Sequence, residues 1–117
     1  MPDDKTTIKQ LIDTVARFES ERDWRQFHSP KNLSMGLAIE TAELMEHFLW
    51  LTPEQSAQLT QDPDQMQAIR HELADVFCYL LNLALVLDVD LSDAFHEKLA
   101  HTARKYPADK FRGKYKL

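Results

Sequence analysis

Leu37-Ala38-Ile39-Glu40-Thr41-Ala42-Glu43-Leu44-Met45-Glu46 decides how this chain is read, together with its echo Arg70-His71-Glu72-Leu73-Ala74-Asp75-Val76. Each stretch reads as helix, and each sets two carboxylates three positions apart within an apolar run. At 3.6 residues per turn, Glu40 and Glu43 share one face of a helix, and so do Glu72 and Asp75. A surface helix aims such carboxylates at water. The flanking residues here are mostly Leu, Ala, Ile, Met, Val and Phe, so part of each pair faces packed protein. If the two helices are neighbours in a bundle, carboxylates about 5 Å apart at an effective dielectric near 20 repel by roughly 3 kcal/mol per pair. A small domain holds that arrangement only with protons or with a cation. All-oxygen ligands point to Mg²⁺, with Mn²⁺ as the alternative, rather than to zinc. One such pair alone is most often a solvated helix face. Two matching pairs on two apolar helices favour the site.

The chain has 117 residues, which fits one compact domain over 1–117 that buries roughly two-thirds of its unfolded surface. Apolar residues are 44% and charged residues 28%, the balance of an ordinary globular protein. Only two glycines occur, which argues against a turn-rich β fold. The longest apolar stretch, Val76 to Val89, is interrupted by Asn82 and Asp88 and falls short of a membrane span. The acidic start Met1-Pro2-Asp3-Asp4 has no apolar signal core, so a cytoplasmic location is expected, with no membrane partner. Cys78 is single and lies within the apolar run, as a structural thiol does. The net charge of −5 divides unevenly: residues 1–103 carry 8 basic and 18 acidic side chains, whereas 104–117 carry 6 basic and 1 acidic. An acidic body argues against binding a nucleic-acid polymer. The basic tail either meets an anionic ligand or pairs with that body.

Thr7 and Gln10 form a possible capping box, and Ile8, Leu11, Ile12, Val15 and Phe18 then follow helical spacing to about Glu19–Arg22. Asp23 to Pro30 has no clean period and reads as a loop. Ser29-Pro30 opens a second helix running to about Trp50, and Thr52-Pro53 opens a short one of two turns. Asp62-Pro63 starts a helix of about 25 residues, some 37 Å long, apolar nearly all round from Val76 to Leu87. A helix of that kind must be covered on every side, and a partner subunit is the simplest cover. Asp90 caps a last helix, with Phe95, Leu99 and Tyr106 on one face, and Pro107 ends it, leaving a basic loop arm over 107–117. The architecture is all-α: a four-helix core with one short extra helix, oligomeric as a dimer or a dimer of dimers.

Two acid-bearing helices suit either a di-iron centre or an oxygen-only Mg²⁺ site that handles phosphates. The di-iron signature Glu-x-x-His occurs nowhere in the chain. Glu40-x-x-Glu43 followed by Glu72-x-x-Asp75 resembles the metal motif of the MazG-like, all-α nucleoside triphosphate pyrophosphohydrolases. Glu21 to Leu33, Phe48-x-Trp50, Asp75-Val76-x-x-Tyr79-Leu80, Val89-Asp90-Leu91 and Arg104-Lys105-Tyr106-Pro107 together resemble the dCTP pyrophosphatase branch, over nearly the whole chain.

The resemblance implies Mg²⁺-dependent hydrolysis of a deoxynucleoside triphosphate at the α-phosphate, with dCTP or a modified dCTP as substrate. By that likeness Glu40, Glu43, Glu72 and Asp75 hold the metal, and Glu43 or Glu46 orients water as general base. Tyr79 reaches the phosphates or sugar, Trp24 and Trp50 line the base pocket, and Lys98 with Arg104 or Lys105 approaches the phosphate tail. Stacking gives affinity without choice of base, so choice falls to His28, Asn32 and the backbone of the Trp24–His28 loop. Two departures stand out. The broader family pattern has two adjacent Glu where this chain has Ile39-Glu40, and some relatives place a His near the base where this chain has Val15. The competing class is a non-catalytic helical partner-binding or regulatory protein whose acids hold a structural cation.

Overall fold

Capping chemistry sets where the helices begin. In the computed structural model, which describes residues 1–116, Thr7 opens helix α1 (Ile8–Glu21) with the expected capping box. Its hydroxyl accepts from the Gln10 amide at 3.1 Å, and the Gln10 side chain accepts from the Thr7 amide at 2.8 Å. Ser29 accepts from the Asn32 amide at 3.2 Å to start α2 (Pro30–Glu46), with Pro30 in the first turn, where its missing N–H costs nothing. Thr52 and Gln55 repeat the capping box at α3 (Pro53–Gln58). The Asp62 carboxylate accepts from the Asp64 and Gln65 amides at the head of α4 (Pro63–Leu87), and Asp90 accepts from Asp93 at the head of α5 (Leu91–Lys105). Short 3₁₀ turns lie at Asp3–Lys5, Arg25–Phe27 and Leu59–Gln61, and no strand occurs among the described residues. The fold is all-helical.

Two boundaries differ from the sequence reading. Helix α2 stops at Glu46 instead of running to Trp50, because His47 and Phe48 bond back to Leu44 and Met45 in tighter turns. The arm beyond Pro107 is not all loop: Ala108–Phe111 forms a single helical turn, α6, with the Phe111 ring edge-on to Tyr106 at 5.0 Å.

Helix α4 is the axis, packed against α2 along one side and α1 along another. Leu33 of α2 is fully buried, against a core completed by Ile69, Leu81 and Ala84 of α4. Helix α5, the fourth core helix of the sequence reading, makes little contact with any other element of the chain. The consequence is an open shape, with a radius of gyration of 17.5 Å. A packed domain of 100 residues has about 13 Å. The far side of α4 is bare at Leu73, Phe77, Leu80 and Leu87, and so is the apolar face of α5 at Phe95 and Leu99. Among the described residues no helix is long and apolar enough to cross a membrane.

Candidate active site

The packing of α2 on α4 brings Glu40, Glu43 and Glu72 together, each offering a carboxylate oxygen within 4.8 Å of the others. One oxygen of Glu40 and one of Glu72 are buried with no hydrogen-bond partner. The ion pairs found among the described residues are Lys9–Asp13, Arg22–Glu21 and His28–Glu19, so no basic side chain neutralises the cluster. Burial, the neighbouring Glu43 carboxyl and the charges of Asp75 and Glu72 push the Glu40 carboxyl from its ordinary 4.5 up to about 7. Asp75 stands next to this group, one turn beyond Glu72 on α4, and shares with Glu40 the wall of a cavity. Glu46 is exposed and lies elsewhere, along an apolar cleft with Met45, Phe48 and Leu49.

That cavity, about 450 Å³, opens beside the acids between α1, α4 and the loop that follows α1. Its apolar wall is Val15, Phe18, Trp24 and Tyr79. Trp24 meets Phe18 edge-to-face, with ring centroids 5.6 Å apart. The chain reaches this position because Asp23 adopts a left-handed conformation (φ 53°) just after α1, and the Trp24 amide bonds back to the Glu19 carbonyl at 3.1 Å. Tyr79 reaches its place across Gly36 of α2: a Cβ at Gly36 would collide with the tyrosine ring, so the close approach of α2 to α4 needs glycine there. His28 closes the loop side with Nδ1 2.7 Å from a Glu19 carboxylate oxygen, although the ring N–H direction is not aligned on it. The Cys78 thiol, also on the wall, is pushed up by burial and by the charges of Glu19 and Asp75, so it stays protonated and unreactive.

Of the residues named from sequence, Glu40, Asp75, Trp24, His28 and Tyr79 meet around this cavity. Others do not. Asn32 donates to the Phe27 carbonyl at 2.9 Å, which holds the loop but puts its side chain outside the cavity lining. Trp50, 89% exposed, sits on the turn after α2, and Lys98, Arg104 and Lys105 ride on the detached α5. The sequence reading passed over Glu19 and Asn82, both on the cavity wall and both buried. Signals for both existed. Glu19 falls four residues after Val15 on the apolar stripe of α1, and Asn82 interrupts the apolar run of α4.

Residues 36–116, which carry both acidic pairs, match the profile of the MazG-like family. The chain belongs to the MazG-like family. Among curated proteins it is similar to dCTP pyrophosphatase 1 of Bos taurus, 37% identical over 107 residues, and of Homo sapiens, 39% identical over 102 residues. Those alignments cover 92% and 87% of this chain but only 63% and 60% of the relatives, so the chain spans about three-fifths of their length. Its fold is similar to the crystal structure of a pyrophosphatase from Archaeoglobus fulgidus, with a TM-score of 0.77 and 34% identity over 86% of this chain and 92% of that one. The MazG-like match begins after the Trp24–His28 loop, so the cavity's α1 side lies outside it.

Proposed function

We propose that this chain hydrolyses a deoxynucleoside triphosphate, dCTP or a modified dCTP, to the monophosphate and pyrophosphate. The observation that carries the reading is an unneutralised group of carboxylates placed at the edge of an aromatic-walled cavity of about 450 Å³, roomy enough for a small ligand. The similarity to dCTP pyrophosphatase 1 supports the substrate. The donor set fits a hard divalent cation, Mg²⁺ or Mn²⁺, because the buried oxygens of Glu40 and Glu72 have no other partner and every ligand is a carboxylate. Glu40, Glu43, Glu72 and Asp75 are the residues that would hold it. When bound, it supplies charge neutralisation for the triphosphate and for the leaving pyrophosphate.

The protein's own part is positioning. Trp24, braced edge-on by Phe18, offers the base a stacking face, and Tyr79, Glu40 and Asp75 line the same cavity, so a nucleotide seated there lays its phosphates toward α2 and α4. Glu43 is exposed where Glu40 and Glu72 are half-buried, which suits it to orient the water that attacks the α-phosphorus and to take its proton. The bond from that phosphorus to the bridging oxygen breaks, and pyrophosphate leaves. Glu46, exposed along the apolar cleft beside Met45, is the weaker candidate for this role. The bare faces of α4 and α5 support a homo-oligomer, a dimer or a dimer of dimers, in which a second copy carries Lys98, Arg104 and Lys105 toward the phosphates.

The test is direct. Purified protein is incubated with Mg²⁺ and each of the four deoxynucleoside triphosphates, and pyrophosphate is measured. Release with dCTP supports the assignment. No release with any of them, combined with unfolding on metal removal, would favour the non-catalytic alternative.

A further inference from the structure

Two buried polar groups on the cavity wall have no role in handling phosphate. Glu19 is 3% exposed and sits in the last turn of α1, where the helix dipole disfavours an anion. A carboxylate shielded from water there is costly, and His28 meets it at one oxygen, 2.7 Å away. That contact is to Oε1, which leaves Oε2 to accept a further hydrogen bond. Asn82, also 3% exposed, donates through Nδ2 to the Cys78 carbonyl at 3.2 Å. That acceptor fixes the orientation of the amide, and its Oδ1 is left buried without a partner. Both residues line the cavity that Trp24 and Phe18 wall, one on α1 and one on α4.

We propose that Glu19 and Asn82 read the edge of the base, accepting hydrogen bonds from an exocyclic amino group. This rests on the pyrophosphohydrolase reading above and adds a basis for pyrimidine choice. Two oxygens with capacity to accept, Glu19 Oε2 and Asn82 Oδ1, suit an –NH₂, whose two N–H bonds diverge. The N4 amino group of cytosine supplies both. Thymine and uracil carry a carbonyl oxygen at the same place, which would face two acceptors and leave all three unpaired. Val15 on the same wall offers no polar atom, so this pair carries the discrimination.

The experiment measures kcat/KM for dCTP, dTTP and dUTP in the full chain, in Glu19→Gln and in Asn82→Ala, with helicity and melting checked by circular dichroism. Glu19→Gln should lower the dCTP/dTTP ratio by about 10-fold or more, through KM for dCTP, while kcat for dCTP holds within about threefold. Asn82→Ala should lower the same ratio by about 3- to 10-fold, and it carries the test alone if Glu19→Gln fails to fold. The proposal is overturned if the ratio is unchanged in folded Glu19→Gln or Asn82→Ala. It is also overturned if all three nucleotides weaken equally, since Glu19 then acts only as an anchor for the loop. A wild-type protein that releases pyrophosphate from none of them fails at the earlier step, whereas turnover with an insensitive ratio rejects base reading alone.

Discussion

Helices α1, α2 and α4 hold all of the buried residues described above, whereas α3, α5 and α6 hold none. The contrast runs through function as well. The packed half makes both the acidic cluster and the cavity, with Glu40 and Glu72 held partly out of water. The open half carries the basic residues and two large apolar side chains of α5 in solvent. A four-residue apolar core is thin for a chain of this length, since burial is the main force offsetting conformational entropy. The packed half therefore holds the candidate site, and the open half leaves apolar surface that nothing in the chain covers.

The largest effect should come from the packed half. Glu43→Gln or Glu72→Gln should lower turnover by about 10³-fold or more, because a ligand charge is lost where negative charge has to be neutralised. The metal-free melting temperature should hold or rise, since one source of mutual repulsion is gone. Glu46→Gln should stay within about threefold of wild type in the same assay. If Glu46→Gln is as damaging as Glu43→Gln, the water is oriented from the apolar cleft and the geometry of the cluster has been misread.

The open half should respond in assembly before chemistry. Wild type should run as an oligomer in light scattering at micromolar concentration, and Phe95→Asp with Leu99→Asp should dissociate it. A charge placed in a buried apolar contact costs about 4 kcal/mol or more, enough to unfold a chain with so little core of its own. A folded, wild-type monomer under those conditions would show that α5 needs no cover.

Legibility in the sequence follows the same divide. Helix starts were readable because capping is local: Thr7, Ser29, Thr52, Asp62 and Asp90 each bond an amide two or three residues on. The acidic cluster was readable because period and spacing put each pair on one face. Detachment of α5 was not, because its apolar stripe at Phe95 and Leu99 reads the same whether its own chain or a second one covers it. Glu19 was hidden for a different reason. A carboxylate near a helix end looks solvated until its neighbours are known, and His28, which meets it, comes from across a loop.

A smaller effect is set by protonation at Glu40, whose carboxyl in the folded state is pushed up to about 7 from an ordinary 4.5. The folded metal-free protein thus holds this proton more tightly than the unfolded chain. Its contribution to stability is fully present below 4.5 and is lost as the pH rises through about 7. Metal binding must displace that proton, so apparent Mg²⁺ affinity should climb by about tenfold per pH unit from 5 to 7 and then level off. Calorimetric titration across that range should show it, and Glu40→Gln should flatten the slope. A pH-independent affinity in wild type would mean that the metal displaces no proton from Glu40.

The two tryptophans give the finest comparison of the two regions. Trp24 walls the cavity and touches Phe18, so Trp24→Ala should weaken every deoxynucleoside triphosphate by about 1–3 kcal/mol, the scale of one stacked base. The loss should fall on KM, because the acids that handle the phosphates are untouched. Trp50 stands on the turn after α2, 89% exposed and outside that cavity. Within one chain, Trp50→Ala is a surface change, worth about 0.5 kcal/mol or less in stability and nothing in KM. An oligomer alters the reasoning, because an exposed tryptophan is the kind of side chain that a second copy lends to a neighbour's pocket. If Trp50→Ala raises KM as much as Trp24→Ala does, the tryptophan reaches the base across a subunit boundary, and the open half completes the site as well as covering the core. If KM is unmoved while the oligomer loosens, Trp50 belongs to the interface alone, and the cavity between α1 and α4 binds the base with its own walls.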